Sequence, residues 1–233
     1  MDARDSFREM LRDHVGPALR QEGFTGSGAN WRRRNASGDW GVVNFQKSAY
    51  GSAHSVDFYI NLSLVVEPER QFFAWLNNRP VSKMPGGSDD VWSIRLDPPP
   101  RRGRDRFDKW QFGDGTDSGL IGEEVIDTVL SEATRTFQVL LNRESLLELL
   151  EDMDGHMMLG AALAHLDPQT LRAVILSEYG VSNELTAVIQ QIAADAREHE
   201  ISGNDTWSRI CLAAIEWVTE RATAVVPNAT TEQ

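Results

Sequence analysis

The residues best suited to chemistry lie in two short stretches, Val42-Val43-Asn44-Phe45-Gln46-Lys47-Ser48 and Val56-Asp57-Phe58-Tyr59-Ile60-Asn61-Leu62. Large apolar residues alternate there with amides, hydroxyls and a carboxylate, the pattern of strands with one face on a core and the other open. Asn44, Gln46, Ser48, Asp57, Tyr59 and Asn61 therefore share a polar sheet face, on which converging hydrogen-bonding groups could fix a ligand. The competing reading is a solvated face, or a layer whose polar groups satisfy one another, as half-exposed antiparallel sheets commonly show.

Other reactive types form no constellation. The histidines His14, His54, His156, His165 and His199 are scattered without metal-ligand spacing. His14 is expected in a core or at a helix edge, and His54, near Tyr50 and Asp57, in a turn. Ser48 lacks the flanking glycines of a nucleophile elbow. A calcium loop counted from Asp114 has Gly119 at its sixth position but Val125 at its twelfth, where glutamate is needed. Asp117, Glu123 and Glu124 are explained instead by a helix start, whose dipole favours acids. Cys211, the single cysteine, falls on an apolar helix stripe and reads as a buried thiol. The expectation is no catalytic set, no metal site and no cofactor, which leans away from an enzyme.

Arg32-Arg33-Arg34 and the loop arginines Arg101, Arg102, Arg104 and Arg106, with Trp31 and Trp40 nearby, are the mixture that single-stranded nucleic acid uses. Strand alternation turns Arg33 away from its neighbours, leaving Arg32, Arg34 and the loop arginines as a candidate basic patch. Charge argues against nucleic acid. The net charge is −12, with 17 Lys/Arg against 14 Asp/Glu in residues 1 to 112 and 6 against 21 in residues 113 to 233. The acidic half repels a phosphate backbone and suits a basic protein. A protein partner, or self-association through the acidic C-terminal helices, is therefore expected. The start of the chain lacks a secretory pattern, and its longest apolar run, 157–166, falls short of the roughly 20 residues of a membrane span. The expectation is a cytoplasmic protein with no membrane contact.

Elements that position these residues follow from periodicity. Phe7, Met10, Leu11, His14, Val15, Ala18 and Leu19 recur at helical spacing, with Pro17 predicting a kink or joint and Gly23 a stop. Residues 30–34 and 40–48 read as a hairpin and 56–66 as the next strand, with Ser48 set opposite Ser55, Phe45 opposite Phe58 and Val43 opposite Ile60. That register puts Asn44 by Tyr59, Gln46 by Asp57 and Asn61 beside Val42. A short helix over 70–77 with Phe72, Phe73 and Leu76 inward, a strand over 91–96 ended by Pro98-Pro99-Pro100, and a short strand over 107–112 follow. A long helix from Leu120 covers the apolar sheet face, with a break or bend at 143–145. Beyond Gly155 the chain reads as helices only: one capped by Asp167 and closed at Gly180, one from Ser182, and one capped by Asp205.

The helix ending in Gly23-Phe24, the aromatic-basic strand at Trp31-Arg32, the run Val43-Asn44-Phe45-Gln46-Lys47-Ser48 and Phe58-Tyr59-Ile60-Asn61-Leu62 together resemble the family known as domain of unknown function 4304, over about the first 140 residues. The resemblance implies an α+β domain and no activity. The expected architecture is α+β: an antiparallel sheet of about five strands packed on helices on one face, followed by an all-α C-terminal extension. Its expected parts are residues 1–154, the helical extension 155–226 and a flexible tail 227–233. The expected function is a non-catalytic protein-binding or regulatory module, an immunity- or antitoxin-like inhibitor being one form. The alternatives are an enzyme or small-ligand binder using the polar sheet face, and nucleic-acid binding through the arginine-rich N-terminal half.

Overall fold

Pro17 shapes the first helical stretch. Asp2 caps α1 (Ala3–Glu9), accepting from the Asp5 N–H at 2.8 Å, before the backbone widens into a π turn over Met10–Val15 and resumes as α2 (Gly16–Gln21). Proline lacks an N–H and presses on the carbonyl four residues earlier, and the wide turn, in which the Gly16 N–H reaches the Leu11 carbonyl, accommodates it. The expected joint at Gly16-Pro17 is therefore real, and the buried stripe Phe7, Met10, Leu11, Val15 and Leu19 runs across it. Gly23, at φ +80°, closes the helix, so that the Phe24 N–H reaches the Leu19 carbonyl at 3.0 Å and Phe24 is buried.

The computed structural model describes residues 2–49, 52, 54–99, 109–152, 157–158 and 161–225. They divide into two compact units, Met1–Val65 with Trp92–Arg143, and Val66–Val91 with Glu144–Gln233. The first unit is α+β. Its antiparallel sheet has β1 (Thr25–Ser27), β2 (Asn30–Arg34), β3 (Trp40–Lys47), β4 (Ser55–Val65) and β5 (Trp92–Leu96) in sequence order, with β6 (Trp110–Gly113) also paired to β4. β1 is the strand the alternation argument misses: at three residues, one of them glycine, it has no pattern to read.

The register between β3 and β4 corrects the expectation by two residues. Phe45 lies opposite Ile60, Val43 opposite Leu62, Asn44 opposite Asn61, Gln46 opposite Tyr59 and Val42 opposite Ser63. A shift of two leaves every side chain on its expected face, which is why alternation could not detect it. The turn decides it. Ser48 donates its N–H to the Asp57 carbonyl at 2.8 Å, so Ser55 to Asp57 run past the end of β3, and on the opposite edge of β4 they pair with β6. Phe58 pairs with both Lys47 and Trp110, so β5 and β6 lie end to end along one edge. The chain leaves that edge after Leu96 and returns at Trp110, whose indole donates to the Leu96 carbonyl at 3.1 Å.

Val56, Phe58, Ile60, Leu62 and Leu64 of β4, with Val43 and Phe45 of β3, are buried on the apolar face. The α1 end covers it through Phe7, 4.9 Å from Phe58 between ring centroids, and α4 (Ser118–Leu140) covers it through Val125, Val129, Ala133 and Phe137. Phe137 lies so close to Gly41 that a Cβ there would meet the ring at 3.0 Å. His14 sits at the helix edge as expected, against Gly122 of α4. The helix stops at Leu140 and α5 (Arg143–Glu151) begins three residues later, which resolves the expected break. Here the turn between β2 and β3 is fixed by a buried ion pair: Arg143 Nε and Nη2 donate to the two Asp39 carboxylate oxygens, the second at 2.7 Å. Asn35 donates to Asp39 at 3.2 Å and to the Leu141 carbonyl at 2.8 Å, tying strand turn and helix end together.

The second unit is helical: α3 (Glu67–Leu76), most of α5, α6 (Pro168–Leu176) with a 3₁₀ turn over Ser177–Tyr179, α7 (Asn183–Ile201) and α8 (Asp205–Ala224). Every residue of α6 except Gln169 is buried, as befits a helix apolar almost all round. Phe72 of α3 meets Trp217 of α8 edge-on at 5.8 Å, and Arg172 donates to Glu151 and Glu184, both at 2.8 Å. Three expectations change. Leu76 is 37% exposed and the inward side of α3 is Pro68, Glu69, Arg70, Phe72 and Ala74; α8 is capped by Asn204, not Asp205; and Met157–Met158 pairs with Ala161–Ala162, so this region is not helical throughout. The four loop arginines and the tail 227–233 lie outside the described residues.

Removing one member of a buried ion pair strands the other charge without water. Arg143→Met should lower stability by about 3–5 kcal/mol in urea unfolding, and adding Asp39→Asn should recover a large part of it. A loss below about 1 kcal/mol would show that the pair does not hold the turn.

Candidate functional site

The corrected register brings the polar residues into straight cross-strand rows. Asn30, Asn44, Asn61 and Arg95 stand opposite one another in turn across β2, β3, β4 and β5. Asn44 Nδ2 donates to Asn30 Oδ1 at 2.8 Å, Asn61 Nδ2 to Asn44 Oδ1 at 3.3 Å, and Arg95 Nε to Asn61 Oδ1 at 3.4 Å. Asn61 Nδ2 also reaches Gln46 Oε1 at 3.2 Å. The amides form a connected chain in which acceptors face donors, half-buried at Asn44 and Asn61 and exposed at Asn30, Gln46 and Arg95.

Beside this row, Tyr59 pairs with Gln46, and two cations share its ring. The Arg95 guanidinium carbon is 3.8 Å and the Lys109 ammonium 6.0 Å from the ring centroid. Asp57 stands opposite Gln111 at the end of the face, and Ser48 is tied to it through the backbone. Arg32 and Arg34 lie on this same face, opposite Val42 and Trp40. Arg34 stacks over the Trp40 ring at 5.0 Å and donates to the Gly38 carbonyl at 3.1 Å. Arg33 turns the other way, as alternation required, onto Phe24 at 5.1 Å. The structure thus joins the expected polar residues to Arg32 and Arg34. It adds Asn30, Arg95, Lys109 and Trp40, of which Arg95 was readable from the alternation of Trp92, Ile94 and Leu96.

The remaining reactive side chains sit elsewhere. His54 Nδ1 lies 2.6 Å from Asp114 Oδ2 in an exposed pair between two turns, and Asp117 caps α4 by accepting from the N–H groups of Gly119 and Leu120. Cys211 is buried, and burial pushes its thiol up to about 11. In the helical unit, His165 Nδ1 is 3.5 Å from Oε1 of Glu69, a carboxyl only 1% exposed. Burial raises Glu69 above the ordinary carboxyl range, against the opposing pull of His165. Contact with Glu69 raises His165 above its ordinary value, with Asp90 and Asp89 adding and burial opposing. Sequence spacing gave no hint of this pair, whose members are 96 positions apart.

Residues 15–121 match the model of a domain of unknown function, DUF4304. Over those residues the chain is similar to that family. The match covers the sheet and its polar rows but not the C-terminal helices, and that description carries no activity with it. No curated protein and no solved structure matches the chain.

Because Asn61 is half-buried and its bonds are 3.2 Å or longer, Asn61→Ala should cost only about 0.5–1.5 kcal/mol in urea unfolding. A loss above about 2 kcal/mol would make the row a structural layer instead of an open surface. For the His165–Glu69 pair, the raised His165 value means that the folded state keeps the imidazole proton to higher pH than the unfolded chain does. That stability is complete below the unfolded value of about 6.5 and is lost as pH rises through the raised one. The advantage of wild type over His165→Gln in urea midpoint should therefore be greatest near about pH 6 and shrink as pH rises beyond the raised value. A difference that is flat with pH would refute the coupling.

Proposed function

We propose that this protein is a non-catalytic protein-recognition module whose DUF4304-like region reads an acidic partner segment with the polar face of its sheet. The observation that carries this reading is the convergence of Arg95 and Lys109 on the ring of Tyr59, at 3.8 and 6.0 Å, beside the amide row. Two like charges held near one aromatic ring repel each other, and an anion from a partner relieves that repulsion while the amides supply donors and acceptors at fixed spacing. Arg32 and Arg34 continue the positive charge along the face, with Asp57 as its acid. Base stacking is disfavoured because the guanidinium groups of Arg95 and Arg34 already occupy the faces of Tyr59 and Trp40.

The acidic helices α7 and α8 offer a second surface to a basic protein, with Glu198, Glu200, Asp205, Glu216 and Glu220 exposed. An immunity- or antitoxin-like role would use either surface. The test is affinity purification of the full chain from its native host, in parallel with Arg95→Glu/Lys109→Glu and with Glu216→Lys/Glu220→Lys. A stoichiometric protein lost with the first variant and kept with the second is the expected result. Recovery of the same protein at the same yield from the first variant would overturn the assignment to the sheet face. A bound metabolite with no protein would replace recognition by small-ligand binding.

A further inference from the structure

Two buried donors on the sheet face have no acceptor among the described residues: Arg32 Nε and Trp40 Nε1. Trp40 is 9% exposed, so its indole N–H is not a surface group satisfied by bulk solvent. The two residues are near neighbours. Arg32 is opposite Val42 and Arg34 is opposite Trp40, which sets Arg32 and Trp40 diagonally across the β2–β3 ladder on one face, a spacing that long and aromatic side chains bridge. Arg34, held by the Gly38 carbonyl and stacked on Trp40, adds a second guanidinium to the same corner.

Buried N–H groups are almost always paired, and two unpaired ones at diagonal positions of one ladder, next to positive charge, describe a seat for an acceptor with two oxygens. A carboxylate fits: it only accepts, it offers both oxygens, and it neutralises a guanidinium as it binds. We propose that Arg32 and Trp40 together seat one aspartate or glutamate carboxylate of an acidic protein segment docked on this face, a refinement that rests on the recognition surface proposed above. Charge complementarity selects that occupant. Among the described strand positions and Lys109, the face carries Arg32, Arg34, Arg95 and Lys109 against Asp57, and the rings of Tyr59 and Trp40 are covered by arginine, which leaves them no platform for bases.

The test follows the Trp40 indole N–H resonance of the isotopically labelled full chain, identified by its loss in Trp40→Phe, while hexaglutamate, decauridylate, acetate or inorganic phosphate is added. Hexaglutamate should move that resonance saturably. Arg32→Gln and Arg32→Lys, the second keeping charge but not the Nε–H, should each weaken the affinity by about tenfold or more. Thermal melts matching wild type for Arg32→Lys show that the loss is not one of folding. If the side-chain amides of Asn44 and Asn61 respond to hexaglutamate but the indole does not, the seat is wrong while the recognition face stands. If neither responds, the wider reading falls with it. A response to decauridylate alone, or to acetate and phosphate no less than to hexaglutamate, overturns the acidic protein segment as the occupant.

Discussion

Period-two alternation along β4 is the constraint on which the first unit depends. Phe58 pairs with β3 on one side and with β6 on the other, and Ile60, Leu62 and Leu64 pair with β3 and β5, so each even position packs a core residue at the centre of the sheet. Because successive side chains point to opposite faces, the same residues that bury Phe58 and Ile60 against the helices send Asp57, Tyr59 and Asn61 to the other side. Core and candidate surface are therefore one decision of the chain. A slip of one residue would bury the amides and expose the aromatics together, at the cost of several large side chains worth about 1.5–3 kcal/mol each.

Magnitudes separate the charged contacts that hold the fold from those that decorate it. The His54–Asp114 pair is short, 2.6 Å, yet its side chains are 81% and 54% exposed, and such pairs contribute about 0–1 kcal/mol. The Asp39–Arg143 pair is almost entirely buried and connects the β2–β3 turn to the start of α5, with Asn35 bridging it to the end of α4. Breaking it leaves a charge where water cannot reach, so it acts as a fixed joint. The joint lies close in sequence to Trp40 and Arg34, and it holds the turn from which their strands emerge.

Faces were legible in the chain; neighbours across strands were not. Val43, Phe45, Phe58 and Ile60 declare the apolar side by spacing alone, and Arg33 is correctly separated from Arg32 and Arg34 by the same rule. The pairing of Asn44 with Asn61 was not readable, because moving β3 by two residues changes no face and is set by the Ser48–Asp57 backbone bond and by β6 capturing the first residues of β4. β1 escaped notice because a three-residue strand carries no period. Likewise α3 follows β4 directly in sequence but groups with the C-terminal helices, burying Glu69 near His165, a contact that local patterning cannot encode. Helix caps at Asp117, Asp167 and Ser182 were readable to within a residue or two because the capping bond is itself local.

A basic patch on the sheet face is compatible with a net charge of −12, because charge acts over a limited range. At physiological salt the screening length is about 8 Å, roughly the reach of two neighbouring strands, so a carboxylate at the Arg95 and Lys109 end responds to those cations and hardly to acids elsewhere. A short acidic segment fits within that range. A nucleic acid carries its charge far past a patch of this size, so most of its phosphates would find no cation on the face. In the proposed reading the same screening would give the two surfaces different roles: the sheet face would select by contact, through amides and stacked guanidinium groups at fixed spacing, and the dispersed acids of α7 and α8 would influence approach.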